Sequence, residues 1–298
     1  MDAQQINARP AGAPAALPYP TVACKLRVIT LARNEERDLP LCFSCIPDGI
    51  KVTVIDSGSS DSTPDIARAA GAEVVFHEFT GFANQRNFGL TEAGVTESWA
   101  LFIDADEVYT REFWEWAEKW LADDPQIDFV YISQYMALDG YILKHAPAYP
   151  LWHPRLVRTG SPKFVQGDAG MHSESIGADL RCINLDIPYI HYWQSGSMKG
   201  WAEKHLRLAV EDVTSTNTTD GKKTIRARIN RMLGDGFIKV AGRFFYHYLL
   251  CGGFMDGRAG FRFSVMYSWY EMSKWMLRDG PREYPVVVPP ANVIRRSK

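Results

Sequence analysis

Asp104-Ala105-Asp106-Glu107 places three carboxylates within four residues, directly after the apolar run Ser98-Trp99-Ala100-Leu101-Phe102-Ile103. Side chains alternate along an extended backbone, so Asp104 and Asp106 are expected to point the same way from a buried strand end. Paired hard oxygens suit Mg²⁺ or Mn²⁺, ions that commonly serve substrate phosphates. A second polar group follows Lys51-Val52-Thr53-Val54-Ile55, in the stretch Asp56-Ser57-Gly58-Ser59-Ser60-Asp61. There Asp56 can accept a hydrogen bond from a nucleobase N–H or a ribose hydroxyl, while Asp61 reads as a turn or cap residue. Arg33-Asn34-Glu35-Glu36 holds the matching place after the first apolar run. Gln85-Arg86-Asn87 sets a guanidinium in an otherwise apolar stretch, able to meet phosphate, base or a neighbouring carboxylate.

Transfer to a hydroxyl needs a proton acceptor, and the segment from Gly167 to Glu174 supplies candidates in Asp168, His172 and Glu174. His191, inside Tyr189-Ile190-His191-Tyr192, reads as a core histidine, with metal ligation as the alternative. Cys42 and Cys45 share helical spacing with Leu39, Phe43 and Ile46 and read as core thiols. Five irregularly spaced cysteines make no disulfide framework and fit a reducing compartment.

The elements that must position these groups alternate from about residue 25. Strands are predicted at Lys25 to Leu31, Lys51 to Ile55, Glu73 to Phe76 and Trp99 to Ile103. Between them lie a helix from Leu39 to Ile46, a helix opened by Thr63 and Pro64 and closed at Gly71, and a loop from Gly81 leading into a third. Thr110 opens a further helix with Phe113, Ala117, Trp120 and Leu121 on one face. Such alternation implies an α/β fold with a mostly parallel sheet, which binds ligands beyond the carboxyl ends of its strands. Asn34, Asp56 and Asp104 are therefore expected on a common rim. Later strands are predicted at Asp128 to Ile132 and Leu180 to Tyr189, with irregular sequence between, and helices from about Ser197 onward.

The chain has 298 residues, 46% of them hydrophobic and 12% aromatic, enough for one large core with an extension. Charge is uneven: residues 1–150 hold 11 Lys/Arg against 22 Asp/Glu, and residues 151–298 hold 22 against 13. An acidic half suits a cation; a basic half suits an anionic partner. Nine Lys/Arg between 222 and 262, interleaved with Phe and Tyr, fit contact with an anionic membrane surface or lipid better than nucleic acid, for which no recognised motif is present. Neither a secretory signal nor an apolar span long enough to cross a bilayer is visible, so a cytoplasmic location, or a peripheral one on the inner membrane's cytoplasmic face, is expected.

Taken in order, Ile29–Glu36, Val54–Thr63, Gln85–Phe88 and Ile103–Glu107 resemble the motifs of family 2 inverting glycosyltransferases of the GT-A fold. Pro188–Tyr192, Lys204-His205 and Gly253–Gly260 bring the chain closer to the bacterial lipopolysaccharide-core glucosyltransferases. The likeness runs from about residue 26 to 275. It implies a Rossmann-like nucleotide-sugar domain over residues 24–196 and a helical acceptor- and membrane-facing extension over 197–280, with irregular tails at 1–23 and 281–298. It also implies a UDP-linked donor contacted by Leu31, Arg33, Glu35, Asp56, Arg86 and Asp104, with Asp106 and Asp104 holding Mg²⁺ or Mn²⁺. The acceptor would be a saccharide hydroxyl, on a lipid-linked or lipopolysaccharide glycan. The group's usual His-Glu pair is His172-Ser173 here, with Glu174 one place on, so the base stays open among Glu174, Asp168 and His172. Rival readings are a nucleotidyltransferase-like enzyme on a related sheet and a non-catalytic saccharide- or membrane-binding relative.

Overall fold

The computed structural model describes residues 19–147, 149–160, 164–166, 174–177, 180–194, 196–214 and 236–278. Four strands, β1 (Leu26–Ala32), β2 (Lys51–Asp56), β3 (Glu73–Phe76) and β4 (Trp99–Phe102), pair in parallel in the order β3-β2-β1-β4. They are apolar on both faces because both are covered. Trp99, Leu101 and Ile103 pack into one cluster with Phe113 and Trp114, and Ile29, Ile55 and Phe102 into the other. Helices α2 (Leu39–Ser44), α3 (Thr63–Ala69), α4 (Phe82–Thr91) and α5 (Arg111–Ala122) follow the punctuation expected. Thr110 caps α5 by accepting from Phe113 N. Thr63 does not cap α3: Asp61 accepts from its amide and hydroxyl, and the Thr63 hydroxyl in turn accepts from Glu35 N at 2.8 Å. Helix α4 lies close on the sheet, and a Cβ at Gly89 would stand 2.8 Å from Ile55 Cδ1.

Beyond β4 the sheet is mixed rather than parallel. Strand β8 (Leu151–Arg158) runs antiparallel to β4 and to β6 (Phe129–Leu138), and β11 (Cys182–Tyr192) lies parallel to β6. The two-residue β5 (Glu107–Val108) closes the far edge against β11, and β7 (Tyr141–Leu143) pairs with β6. A separate hairpin joins β9 (Phe164–Gln166) to β10 (Glu174–Ile176). Strand β8 falls where irregular sequence was expected, because Pro154 argues against a central strand. The ladder absorbs it at a bulge: Val130 pairs with Leu156 and Tyr131 with Pro154, leaving Arg155 as the extra residue.

Residues 20–23, placed in the expected tail, belong to a helix. Helix α1 (Pro20–Lys25) buries Val22, and Glu118 of α5 accepts from the amides of Thr21 and Val22. At the other end α6 (Met198–Thr214), α7 (Phe237–Phe245), a π-helical turn (Tyr246–Leu250), a 3₁₀ turn (Gly253–Asp256) and α8 (Gly257–Arg278) form the helical region. Trp201, Phe263 and Met266 pack there against Met136, Leu138 and Leu143 of the sheet. Asp256 accepts from the amides of Lys144, His145 and Ala146, so the Gly253–Gly260 motif pins these helices to the sheet.

The basic segment differs from its expectation. Lys222, Lys223, Arg226, Arg228 and Arg231 lie outside the described residues. Lys239 and Arg243 turn inward onto buried Glu271, and Arg262 pairs with Asp139. Among its described residues this region exposes Arg258 together with the apolar side chains Phe237, Ile238, Phe245, Leu249, Leu250, Phe254 and Met255.

Candidate active site

The carboxyl ends of the parallel strands border a cavity of about 360 Å³. Strand β1 contributes Leu31 and Ala32 and, just past its end, Arg33 and Glu35; β2 contributes Ser57; the turn after β4 contributes Asp104, Ala105 and Asp106. Opposite stand His191 of β11, Lys204 and Glu211 of α6, and Tyr267 and Tyr270 of α8, with Phe79, Phe82 and Gln85 along one side.

Two of the sequence motifs build one scaffold. Ala32 pairs with Asp56, so the turns after β1 and β2 are neighbours. Asn34, in the left-handed region at φ +58°, accepts from Ser60 N at 2.8 Å and donates its amide to Ser59 Oγ at 2.9 Å. Asp61 and Glu36 exchange contacts with the amides of Glu36 and Ser62. Asp56 is buried, and its carboxylate accepts from the amides of Gly58 and Ser59 and from the Ser59 hydroxyl. Asp56 thus shapes the turn, while its neighbour Ser57 faces the cavity and accepts from Gln85 Nε2 at 2.7 Å.

Asp104 and Asp106 both border the cavity, but they do not share one direction. The strand stops at Phe102, and residues 104–107 form a turn closed by Glu107 N donating to Asp104 O at 2.9 Å, so strand alternation no longer applies. Asp104 accepts from Arg155 Nη2 at 2.7 Å and Arg86 Nη2 at 3.4 Å. Burial alone would raise the Asp104 carboxyl, but the two guanidiniums outweigh it and hold it below the usual range. Arg155 also bonds Glu107, which accepts from Asp104 N; burial pushes this second carboxyl up to about 7. Arg86 is buried over the Phe102 ring at 4.9 Å and donates to Asp104 at the edge of the site.

Asp106 is the carboxylate that meets other charges across the cavity. Its Oδ2 lies 3.3 Å from Lys204 Nζ and 3.5 Å from His191 Nε2, and Lys204 Nζ is 3.0 Å from Glu35 Oε1. Burial opposes the Asp106 charge, yet Lys204 and His191 hold the carboxyl well below the ordinary range. Glu35 is pushed up to about 7, by burial first and by Asp106 against the pull of Lys204. His191 is no inert core residue. The pairing of β11 with β5 sets it opposite Glu107, and its Nδ1 is buried without a hydrogen-bond partner among the described residues.

Among the described residues no trio of His, Cys, Asp and Glu is spaced to hold a metal unaided. A Mg²⁺- or Mn²⁺-type ion that arrives with a diphosphate needs only one or two protein ligands. Asp106, Asp104 and His191 all border the cavity and carry the donor atoms for that demand, Asp104 while also accepting from two guanidiniums. Of the expected bases, Asp168 and His172 lie outside the described residues, and for Glu174 only the backbone, the first residue of β10, is described. Sequence reasoning missed Arg155 and gave no role to Lys204. The first was hidden by Pro154, and the second lies 98 residues from Asp106.

Residues 27–169 match the model for glycosyl transferase family 2. A TPR repeat-containing protein of Synechococcus elongatus is 36% identical over 86 residues, 28% of this chain and 21% of that protein. The lipopolysaccharide core biosynthesis glycosyltransferase LpsC of Rhizobium meliloti is 25% identical over 144 residues, 47% of this chain and 53% of LpsC. The chain thus spans about a fifth to a half of these relatives. A mannosyltransferase from Pyrobaculum calidifontis, solved with GDP-Man and Mn²⁺, superposes with a TM-score of 0.47 at 17% identity, covering 86% of this chain and 87% of that one.

Proposed function

We propose that this protein, whose residues 27–169 match the model for glycosyl transferase family 2, transfers a sugar from a nucleotide sugar, UDP-linked, to a hydroxyl of a saccharide acceptor with inversion at the sugar carbon. One observation carries this reading. Three parallel strands deliver Glu35, Ser57 and Asp106 to one cavity, where His191 and Lys204 meet them from the opposite side. The acceptor oxygen bonds to the anomeric carbon as the carbon–oxygen bond to the diphosphate breaks, and the acceptor's proton passes to a base among Asp168, His172 and Glu174. Arg86 and Arg155 fix the turn that presents Asp106. Arg33, Phe79 and Phe82 border the side of the cavity suited to the nucleoside, and the α6 and α8 side chains border the side suited to the acceptor. A divalent cation bound with the donor would be held by ligands from among Asp106, Asp104 and His191 and would spread the charge of the leaving diphosphate.

The acceptor reading is a lipid-linked or lipopolysaccharide-core saccharide, consistent with the name of the Rhizobium relative. The exposed apolar face around Leu250, itself 80% exposed, supports a peripheral membrane position by partial insertion. None of the described helices is long and apolar enough to span a bilayer. Flotation with anionic vesicles is expected to persist at high salt and to fail in Leu250→Asp; loss of flotation by salt alone would exclude insertion. The transferase reading is tested by incubating the full chain with a panel of nucleotide sugars and measuring nucleoside diphosphate release. Release from one or a few donors is expected. No release from any of them, together with no UDP binding, would overturn the proposal.

A further inference from the structure

The ammonium of Lys204 stands where the cavity's acidic side chains meet. Its Nζ is 3.0 Å from Glu35 Oε1 and 3.3 Å from Asp106 Oδ2, and His191 Nε2 approaches the same Asp106 oxygen at 3.5 Å. These three partners come from the turn after β1, the turn after β4 and strand β11, so the contact exists only in the folded chain. Arg33 and Arg207 also border the cavity, while Arg86 and Arg155 are bound to Asp104. The Lys204 side chain is 38% exposed and borders the cavity, so its head can exchange partners without unfolding α6.

We propose that Lys204 is the built-in counter-ion of the Glu35–Asp106 pair: it holds these carboxylates against divalent cations and is the charge that grips a diphosphate when one enters. The diphosphate half rests on the transferase reading; the cation half does not. The physical argument is one of competition. Two carboxylates and an imidazole are donors that Mn²⁺ accepts, yet a lysine ammonium already bridges both acids. A strongly hydrated point charge on a flexible stem can leave one carboxylate for a phosphate oxygen at little geometric cost. Removing that charge leaves Asp106 and Glu35 without their shared ammonium, and a divalent cation can take its place, displacing any proton Glu35 then holds. The direction of the Lys204 pKa agrees: burial disfavours its charge, but Asp106 and Glu35 outweigh burial and raise it.

The test uses the full chain and two probes. Mn²⁺ alone is titrated into wild type, Lys204→Met and Lys204→Arg, followed by electron paramagnetic resonance of free Mn²⁺. UDP is titrated in excess chelator by calorimetry. Lys204→Met is expected to bind Mn²⁺ about tenfold more tightly and UDP about tenfold more weakly, whereas Lys204→Arg, which keeps the charge, stays within about threefold of wild type for both. Lys204→Gln repeats the measurement should the methionine variant melt early. A folded, neutral variant with unchanged Mn²⁺ affinity overturns the counter-ion role. Unchanged UDP affinity in chelator overturns the diphosphate role. If wild type binds no UDP under any condition, the transferase reading fails, and the Mn²⁺ titration still decides the first role.

Discussion

The two rims of the parallel strands are both crowded with charge, and they use it in opposite ways. At the amino rim Arg27 donates to Glu97 at 3.0 Å, to Thr53 at 3.0 Å and to Glu73 at 2.8 Å, while Lys51 reaches Glu97 at 2.9 Å. Burial would raise the Glu97 carboxyl, but the bonds from Arg27 and Lys51 bring it down to about 2. At the carboxyl rim Glu35 is pushed up to about 7, and His191 keeps a buried nitrogen without a partner among the described residues. Charge density does not separate a functional edge from a structural one. Satisfaction does: one rim pairs its ions internally, and the other arranges them around a cavity that a ligand can enter.

The largest expected effect falls on the cavity rim. Asp106→Asn should lower kcat/KM by at least about 1,000-fold, roughly 4 kcal/mol of transition-state stabilisation, in a steady-state assay with the donor found by screening. Its melting temperature should fall as well, because Lys204 and His191 hold this carboxyl low in the fold, so activity is compared per folded molecule. Appreciable activity in this variant would erase the distinction between the rims. The converse substitution is next. Arg27→Met leaves buried Glu97 with half-exposed Lys51 and the Thr96 amide and should cost about 3 kcal/mol in urea unfolding, with UDP affinity per folded molecule unchanged.

The smallest effect is a pH profile, and it sharpens the comparison because the two rims have opposite signs. Glu97 titrates lower in the fold than in the unfolded chain, where the usual value is 4.5. Its contribution is therefore present above about pH 4.5 and is lost as pH falls toward 2. Glu35 titrates higher in the fold, so the unfolded chain releases that proton first and stability declines as pH rises from 4.5 to about 7. Urea midpoints across this range should fall on both sides of a mildly acidic maximum. Glu35→Gln should flatten the neutral side only; buried Glu107, also raised to about 7, keeps part of the slope. A neutral limb unchanged by that substitution would show that Glu35 ionises freely.

Most of the first four strands and their helices are legible from local pattern. An apolar run such as Trp99 to Phe102 can only be a buried strand, and capping groups such as Thr110 mark where a helix starts. Strand β8 is not legible, because Pro154 and two arginines contradict strand rules that hold for a regular ladder. The bulge against β6 gives the proline its place and turns Arg155 toward Asp104 and Glu107. Asp56 was expected to contact the nucleoside; that its carboxylate also accepts from the amides of Gly58 and Ser59 is set by the turn of small residues and was not read from the sequence.

The sequence by itself determined which segments alternate, that acidic groups stand at strand ends, and that those ends belong to one rim. These are properties of periodicity and of chain direction, readable within a few residues. Only the tertiary structure decided what each carboxylate faces. His191 reaches Asp106 because β11 pairs with the two-residue β5, and Lys204 reaches it because α6 packs across the cavity. Partners so far apart along the chain are chosen by the packing of whole elements, and no local pattern in the chain encodes that choice.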